Sequence, residues 1–527
     1  MNDYLTGDAC IYLAERVEYT SGRYGDTRKG SVLRVAKGYI CIIIAALWGM
    51  SAVSPAAGKS KVKFNSYELK AKTGEILSFD FDGDGLDDIV VIDEPNLIFF
   101  FQDSKDGFAE EAELICSAGG KPSIVWPAKL RNGHGQNILV MSNSGVSSLS
   151  YVDKDKPPAK EQIISRRTIV PEKSEDSRVF FFTLSANTAK EFPVIFIPTE
   201  NGLEVWENSS SHRWHYAYAL KEALKSGIGG PWNEYVYSKS YGLNMSLGDV
   251  NGDGLEDLVI ADSDYGEGRF SMSIYEQTKE GGFGRTPSKT LKTDFSEHMW
   301  VCVQDINRDG KVDLIRNTWL REPWFLPGTY SGKVIVRIFV SAADGSMPAE
   351  PQYIFRKNDW MAPMPIVDID GDGFMDLVLG YSLFKPDDLK KSMSAQKIDH
   401  SLRIHFYGNG GFSEEPDFQR DISIYLSQRN MFLPGPHGDY FEHFINLEGD
   451  FNGDGRRDLM VKDRKDGMSV YFFRSRKEGF SKKTDVRLKV KDMCRFIVRD
   501  LNKDGVSDLI AYYPWKERFK VMLSGRK

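Results

Sequence analysis

The stretch Asp80–Asp88, DFDGDGLDD, returns five more times along the chain, as DVNGDGLED from Asp249, DINRDGKVD from Asp305, DIDGDGFMD from Asp368, DFNGDGRRD from Asp450 and DLNKDGVSD from Asp500. Aspartate or asparagine stands at positions 1, 3, 5 and 9 of every copy, and glycine at position 6. A hard cation such as calcium takes about six to eight oxygens, and a tight turn supplies them from alternate residues, with a backbone carbonyl at position 7. Each copy therefore reads as a calcium loop. Glycine at position 6 (Gly85, Gly254, Gly310, Gly373, Gly455 and Gly505) suits a backbone that must turn through positive φ. Lys311 and Arg456 at position 7 are compatible with this, because the ligand there is main-chain.

The ligand set that follows is Asp80, Asp82, Asp84 and Asp88; Asp249, Asn251, Asp253 and Asp257; Asp305, Asn307, Asp309 and Asp313; Asp368, Asp370, Asp372 and Asp376; Asp450, Asn452, Asp454 and Asp458; Asp500, Asn502, Asp504 and Asp508. About six structural calcium ions are expected, with affinities that differ because position 3 alternates between a charged and a neutral oxygen. A calcium helix-loop-helix hand is excluded: it needs a bidentate glutamate at position 12, where this chain has Val91, Ile260, Arg316, Leu379, Val461 and Ala511. Loops paired between helices, or packed back to back, do not match the long strand-rich intervals. A metal-free Asp/Gly turn explains one copy far better than six.

At 527 residues the chain has room for one large all-β domain or three ordinary ones. Its 12% aromatic and 27% charged residues are those of a globular protein, and a net charge of −7 with no Lys/Arg cluster gives no footprint for nucleic acid. Residues 38–53, GYICIIIAALWGMSAV, follow Arg34 and Lys37 and precede the small residues Ser54-Pro55-Ala56-Ala57. This pattern predicts an export signal cleaved near Ala57, with an uncleaved membrane anchor as the alternative. Residues 1–57 are thus an extension and targeting segment, and 58–527 a single secreted or cell-surface domain expected to be monomeric. Cys116, Cys302 and Cys494 are too far apart for a disulfide framework and read as buried small hydrophobes in strands.

Around each loop the same order recurs. After Asp249 come Asp257–Asp262, the alternating Arg269–Gln277, a Gly282-Phe283 turn and Lys289–Thr293. The same step recurs at Gly107-Phe108, Gly411-Phe412 and Gly479-Phe480. Four strands per repeat describe a propeller blade. Two degenerate units fill the interval before Asp249. One runs through Ile124–Leu130, an Asn132–Gly135 turn, Asn137–Ser142 and Val146–Val152; the other through Val179–Ser185, Pro193–Pro198, Gly202–Glu207 and Trp214–Leu220. Both are expected to be folded blades without calcium. The fold class is an all-β propeller of eight blades, with seven as the alternative. The last unit ends at its third strand, Phe519–Ser524, so Lys61–Lys70 is expected to close the ring as its fourth. Tyr218–Tyr241, Trp319–Gly332, Pro386–His400 and Arg429–Tyr440 break the period as insertions, of which Pro386–His400 reads as helical.

The six loops and the Gly-Phe turns resemble the FG-GAP and VCBS repeats of integrin-α-like calcium-binding propellers over about residues 60–527. The resemblance implies that the carboxylates named above bind calcium. It does not choose among adhesion ectodomains, lectins and polysaccharide lyases. A non-catalytic binding or adhesion module for a glycan or extracellular protein is the preferred expectation, and a polysaccharide lyase the alternative. A lyase requires a base beside a cation. Trp126, His298, Trp300, Trp360, His443 and Arg495 stand near the starts of first strands, where they could rim one mouth of the channel, or pack between blades. His134, His212, His215, His400, His405 and His437 are scattered, with surface or structural roles expected.

Overall fold

Runs such as Ile89-Val90-Val91-Ile92 are apolar at every position, which suits a strand covered on both faces. The computed structural model describes residues 62–93, 95–118, 124–130, 135–153, 156–168, 185–186, 193–208, 213–220, 244–264, 269–294, 298–319, 334–357, 360–382, 397–425, 445–491, 495–512 and 516–525. Among them there is no helix; the chain forms eight four-stranded antiparallel sheets arranged in a ring.

Blade 1 consists of Glu75–Phe79, Asp88–Asp93, Asn96–Phe100 and Leu114–Ser117. The two units without the acidic loop form blade 2 (Ile124–Ala128, Asn137–Ser142, Gly145–Ser150 and Ala159–Ser165) and blade 3 (Ser185–Ala186, Val194–Thr199, Gly202–Asn208 and Trp214–Leu220). The expected strand over residues 179–184 lies outside the described residues. Blade 4 contains Asn244–Gly248, Asp257–Asp264, Arg269–Tyr275 and Lys289–Asp294. Blade 5 contains His298–Gln304, Asp313–Trp319, Val334–Phe339 and Tyr353–Lys357. Blade 6 contains Trp360–Val367, Asp376–Ser382, Lys397–His405 and Phe418–Tyr425. Lys397–His400, in the stretch whose sequence reads as helical, is strand, because it pairs with Ile422–Tyr425 on one side and His400 with Ser382 on the other. Blade 7 contains Ile445–Asn446, Leu459–Arg464, Gly467–Tyr471 and Val486–Lys489.

Blade 8 joins Arg495–Arg499, Asp508–Tyr512 and Phe519–Gly525 to Lys63–Leu69, which pairs antiparallel from Lys63 opposite Gly525 to Leu69 opposite Phe519. The N-terminal strand completes the last blade, as the unit count requires.

Ring closure is visible in the packing. In the second strand of blade 1, Ile89 and Val91 join the cluster shared with Ile510, Val521 and Leu523 of blade 8, while Val90 and Ile92 join the one shared with Ile138 and Val140 of blade 2. Each further neighbouring pair shares such a cluster, through to Met460 and Val470 of blade 7 against Leu509 and Met522 of blade 8. Every fully buried Val, Ile or Leu contributes about 1.5–3 kcal/mol, so the interfaces between blades hold most of the stability.

The Gly-Phe steps are small hairpins after the third strand, and they explain their own sequence. Phe108, Phe283, Phe412 and Phe480 are buried against the preceding blade. An aromatic ring from that blade's outer strand lies over the glycine: a Cβ on Gly107 would meet the Tyr67 ring at 2.3 Å, and one on Gly479 the Phe418 ring at 2.0 Å. Tyr67 meets Phe108 edge-on with centroids 6.2 Å apart, and Phe418 meets Phe480 at 5.8 Å. Tyr67 belongs to the closing strand, so that strand locks blade 1 as well as completing blade 8.

Candidate metal loops

All six acidic loops join the first strand of a blade to its second, and each folds around its own carboxylates. Each loop takes the number of its blade: in loop 1, Asp80 accepts hydrogen bonds from the amides of Gly83 (2.7 Å) and Gly85 (3.2 Å); in loop 7, Asp450 accepts from Gly453 and Gly455, both at 2.7 Å. Gly85 sits at φ +93° and Gly505 at +81°, the left-handed region expected for position 6. Position 4 adopts it too, even in Arg308 (φ 58°) and Lys503 (φ 57°). Glycine at position 4 in the other four copies marked this second left-handed turn in the sequence.

Position 9 has a role that the ligand reading missed. Asp88, Asp257, Asp313, Asp376, Asp458 and Asp508 are fully buried. In each, one oxygen accepts the amide of position 2 and the other accepts the amide that follows or ends the third strand. For Asp458 the donors are Phe451 (2.8 Å) and Phe473 (2.9 Å); for Asp376 they are Ile369 (2.9 Å) and Tyr407 (3.0 Å). The same pair recurs in the other four blades. Burial pushes these carboxyls up, Asp88 and Asp458 to about 8, Asp376 to about 7, and Asp257, Asp313 and Asp508 to about 6.

The donor set fits a hard cation. It is all oxygen, and carboxylate oxygens of Asp80, Asp82 and Asp88, and of Asp368, Asp370 and Asp372, gather within 4.8 Å of one another. Two buried acceptors in the loops, Asp370 Oδ1 and Asn452 Oδ1, have no hydrogen-bond donor from the protein. A buried acceptor without a donor is costly unless something else satisfies it, and an oxygen-seeking ion does so. A bound calcium would draw on position 1, 3, 5 and 9 oxygens and hold the turn between two strands.

Basic side chains also reach these loops. Arg456 at position 7 donates to Asp454 at 2.5 Å, and Lys311 lies 4.0 Å from Asp309. Position 7 is therefore not a bystander in those copies. Arg476, on the hairpin Phe473–Phe480 of blade 7, bonds Asp370 and Asp372 of loop 6. The loops are further joined hand to hand: the position 8 amide of one donates to the position 1 or 2 carbonyl of the loop before it. These bonds run from Val312 to Asp249 (2.9 Å), Met375 to Ile306 (3.0 Å), Arg457 to Ile369 (2.8 Å), Ser507 to Asp450 (2.7 Å) and Asp87 to Leu501 (2.9 Å). Gln136 of blade 2 then donates to Asp80 at 2.7 Å. The result is a belt of main-chain bonds that begins in blade 4 and ends in blade 2.

Of the residues proposed for a channel rim, Trp126 is half-buried and packs against the cluster shared by blades 2, 3 and 4. Arg495 is half-buried at the first position of its strand, opposite Tyr512. The backbone places His298 opposite Trp319, Trp300 opposite Asn317 and Trp360 opposite Ser382. His298, Trp360 and Arg495 begin strands that end at acidic loops, so they stand on the face of the ring opposite those loops. His443, with His134, His212 and His437, lies outside the described residues. His400 and His405 are buried and His215 is exposed. Cys116 is half-buried on an outer strand rather than fully buried, and burial pushes its thiol up to about 11; Cys302 is in the first strand of blade 5, and Cys494 lies outside the described residues.

A family model described as an FG-GAP-like repeat matches residues 249–315, which run from the acidic loop of blade 4 through the acidic loop of blade 5 into its second strand. No curated protein matches the chain by sequence. Among solved structures, one that concerns recognition of non-reducing terminal N-acetylglucosamine by an Agrocybe aegerita lectin aligns with 86% of this chain and 100% of its own, at 15% identity and a TM-score of 0.41. The match at 249–315 and the blade geometry agree: the chain is an eight-bladed β-propeller that carries an FG-GAP-like repeat.

Proposed function

We propose that this protein is an exported, calcium-stabilised propeller that acts as a non-catalytic binding or adhesion module for a glycan or an extracellular protein. One observation carries the reading: the two faces of the ring differ. The acidic loops and Gly-Phe hairpins lie on one face, and their oxygens point into their own turns, which leaves them committed to holding strands. The intervals 221–243, 320–333, 383–396 and 426–444 all connect strand ends on the other face, because each follows a second or a fourth strand. Long connections on a rigid scaffold are where partners usually bind. Export rests on Arg34, Lys37 and the apolar run 38–53, which lie outside the described residues; among the described residues no helix is long and apolar enough to cross a membrane.

Two measurements test the reading. Chelation lowers the melting temperature by on the order of 10 °C, since ions bound only to the folded state stabilise it by mass action; an unchanged melt removes calcium from the account. Glycan-array binding without turnover supports a binding module. Unsaturated ends appearing on acidic polysaccharides, and lost in His298→Ala or His443→Ala, establish a lyase instead.

A further inference from the structure

Loops 1 and 6 carry the same four aspartates at positions 1, 3, 5 and 9, the only two of the six copies without an asparagine among them. Their surroundings differ. In loop 1, Asp82 and Asp84 accept from amides of their own loop, those of Asp84 (3.1 Å) and Leu86 (2.8 Å), while the nearby Lys503 pairs with Asp87 at 2.7 Å instead. In loop 6 the Arg476 guanidinium bonds both Asp370 and Asp372, positions 3 and 5. Its third nitrogen, Nη1, donates to the Tyr407 carbonyl at 3.1 Å, and the guanidinium lies 5.3 Å from the centre of the Phe406 ring. Asp372 is then spoken for on both oxygens, since its other one accepts the Phe374 amide at 2.9 Å. Asp370 keeps one buried oxygen without a donor.

We propose that Arg476 is a protein-borne counter-ion of loop 6, which competes with a divalent cation for Asp370 and Asp372 and sets this loop's affinity below that of loop 1. The inference rests on the calcium reading above and refines it. A planar guanidinium matches two carboxylates through parallel, charge-assisted bonds, so it is a strong competitor. It also stands at the tip of the hairpin whose Phe480 is buried between blades 6 and 7. An ion that takes the Asp370 and Asp372 oxygens held by Arg476 displaces the guanidinium, and the hairpin, still packed on blade 6 through Phe480 and Phe418, loses its polar tie there. Loop 6 thereby ties metal occupancy to the order of the neighbouring blade's edge.

The experiment measures calcium binding to the full chain by equilibrium dialysis, alongside hydrogen exchange of the Phe473–Phe480 amides with and without calcium. In the native protein, calcium speeds exchange in this hairpin. Arg476→Ala tightens one site by about tenfold, and Asp372→Asn in that background removes the gain; Arg476→Lys falls between the native and neutral variants, because it keeps the charge and loses the planar fork. Arg476→Gln, closer in size, gives the same answer should the alanine variant fold poorly. Identical binding curves for the native protein and both neutral variants overturn the role of Arg476 while leaving the calcium reading intact. No calcium binding in the native protein or any variant removes the calcium reading, and this inference with it.

Discussion

Asp458 joins two strands through one carboxylate, its oxygens accepting the amides of Phe451 and Phe473 at 2.8 and 2.9 Å with no exposure to solvent. Removing it leaves two buried amides without acceptors. Asp458→Ala is expected to cost about 3–5 kcal/mol in denaturant unfolding even with calcium absent; a loss confined to calcium-containing buffer would mean that the residue serves only as a ligand. The sequence displays this aspartate as a ligand because its spacing from Asp450 is local, whereas its bond to Phe473 depends on where the third strand returns. His400 shows the same limit. One isolated histidine in a strand gives no sign of burial, yet it is fully buried, and desolvation pushes it down to about 4 from an ordinary 6.5. Its folded value lies below its unfolded one, so the stability it contributes is whole above pH 6.5 and is lost as the pH falls toward 4, where the unfolded chain takes the proton first. The loss is on the order of 3 kcal/mol. Denaturant midpoints at pH 7 and pH 4.5 should converge in His400→Gln relative to the native protein, and an equal fall in both would clear His400 of the effect.

At the level of the element, the Gly-Phe hairpin was legible as a turn, but its purpose was not. The ring that demands a glycine comes from another blade, Phe418 over Gly479 and Tyr67 over Gly107, and nothing near the dipeptide signals it. Gly479→Ala adds a Cβ 2.0 Å from the Phe418 ring at a backbone φ of 63°. Thermal melts should show a loss of about 2–4 kcal/mol, and Phe418→Ala combined with Gly479→Ala should recover the steric part of it. The outer strand of blade 2, Ala159–Ser165, escaped the sequence reading for a related reason. Only Ile164 of its seven residues is buried, so the polar AKEQIIS shows no alternation to find. Strands buried on both faces were the easiest to read, since Ile89–Ile92 or Leu459–Val461 allow little else.

Across the whole molecule, repetition made the fold readable: six near-copies of one loop, two weaker units and one unpaired strand add to eight blades only if the chain ends meet. The insertions were legible as breaks in the period, while the belt of bonds between loops was not, because it is made of main-chain groups. Deleting residues 58–70 removes the outer strand of blade 8 and the Tyr67 lock on blade 1 together. The truncated chain should lose cooperative unfolding and melt far below the native protein; an unchanged melt would show that the ring closes without this strand.

The closing pair also sets how the ring answers a pull. Lys63 stands opposite Gly525, so the points where the chain enters and leaves the propeller sit side by side at one end of the same antiparallel pair. Tension applied through both ends peels this seam one rung at a time instead of shearing all seven at once. Tension applied through one end and the opposite face of the ring bypasses the seam. A protein that resists heat through its blade interfaces is thus mechanically soft along one chosen line, and the way it is tethered decides whether that line is loaded.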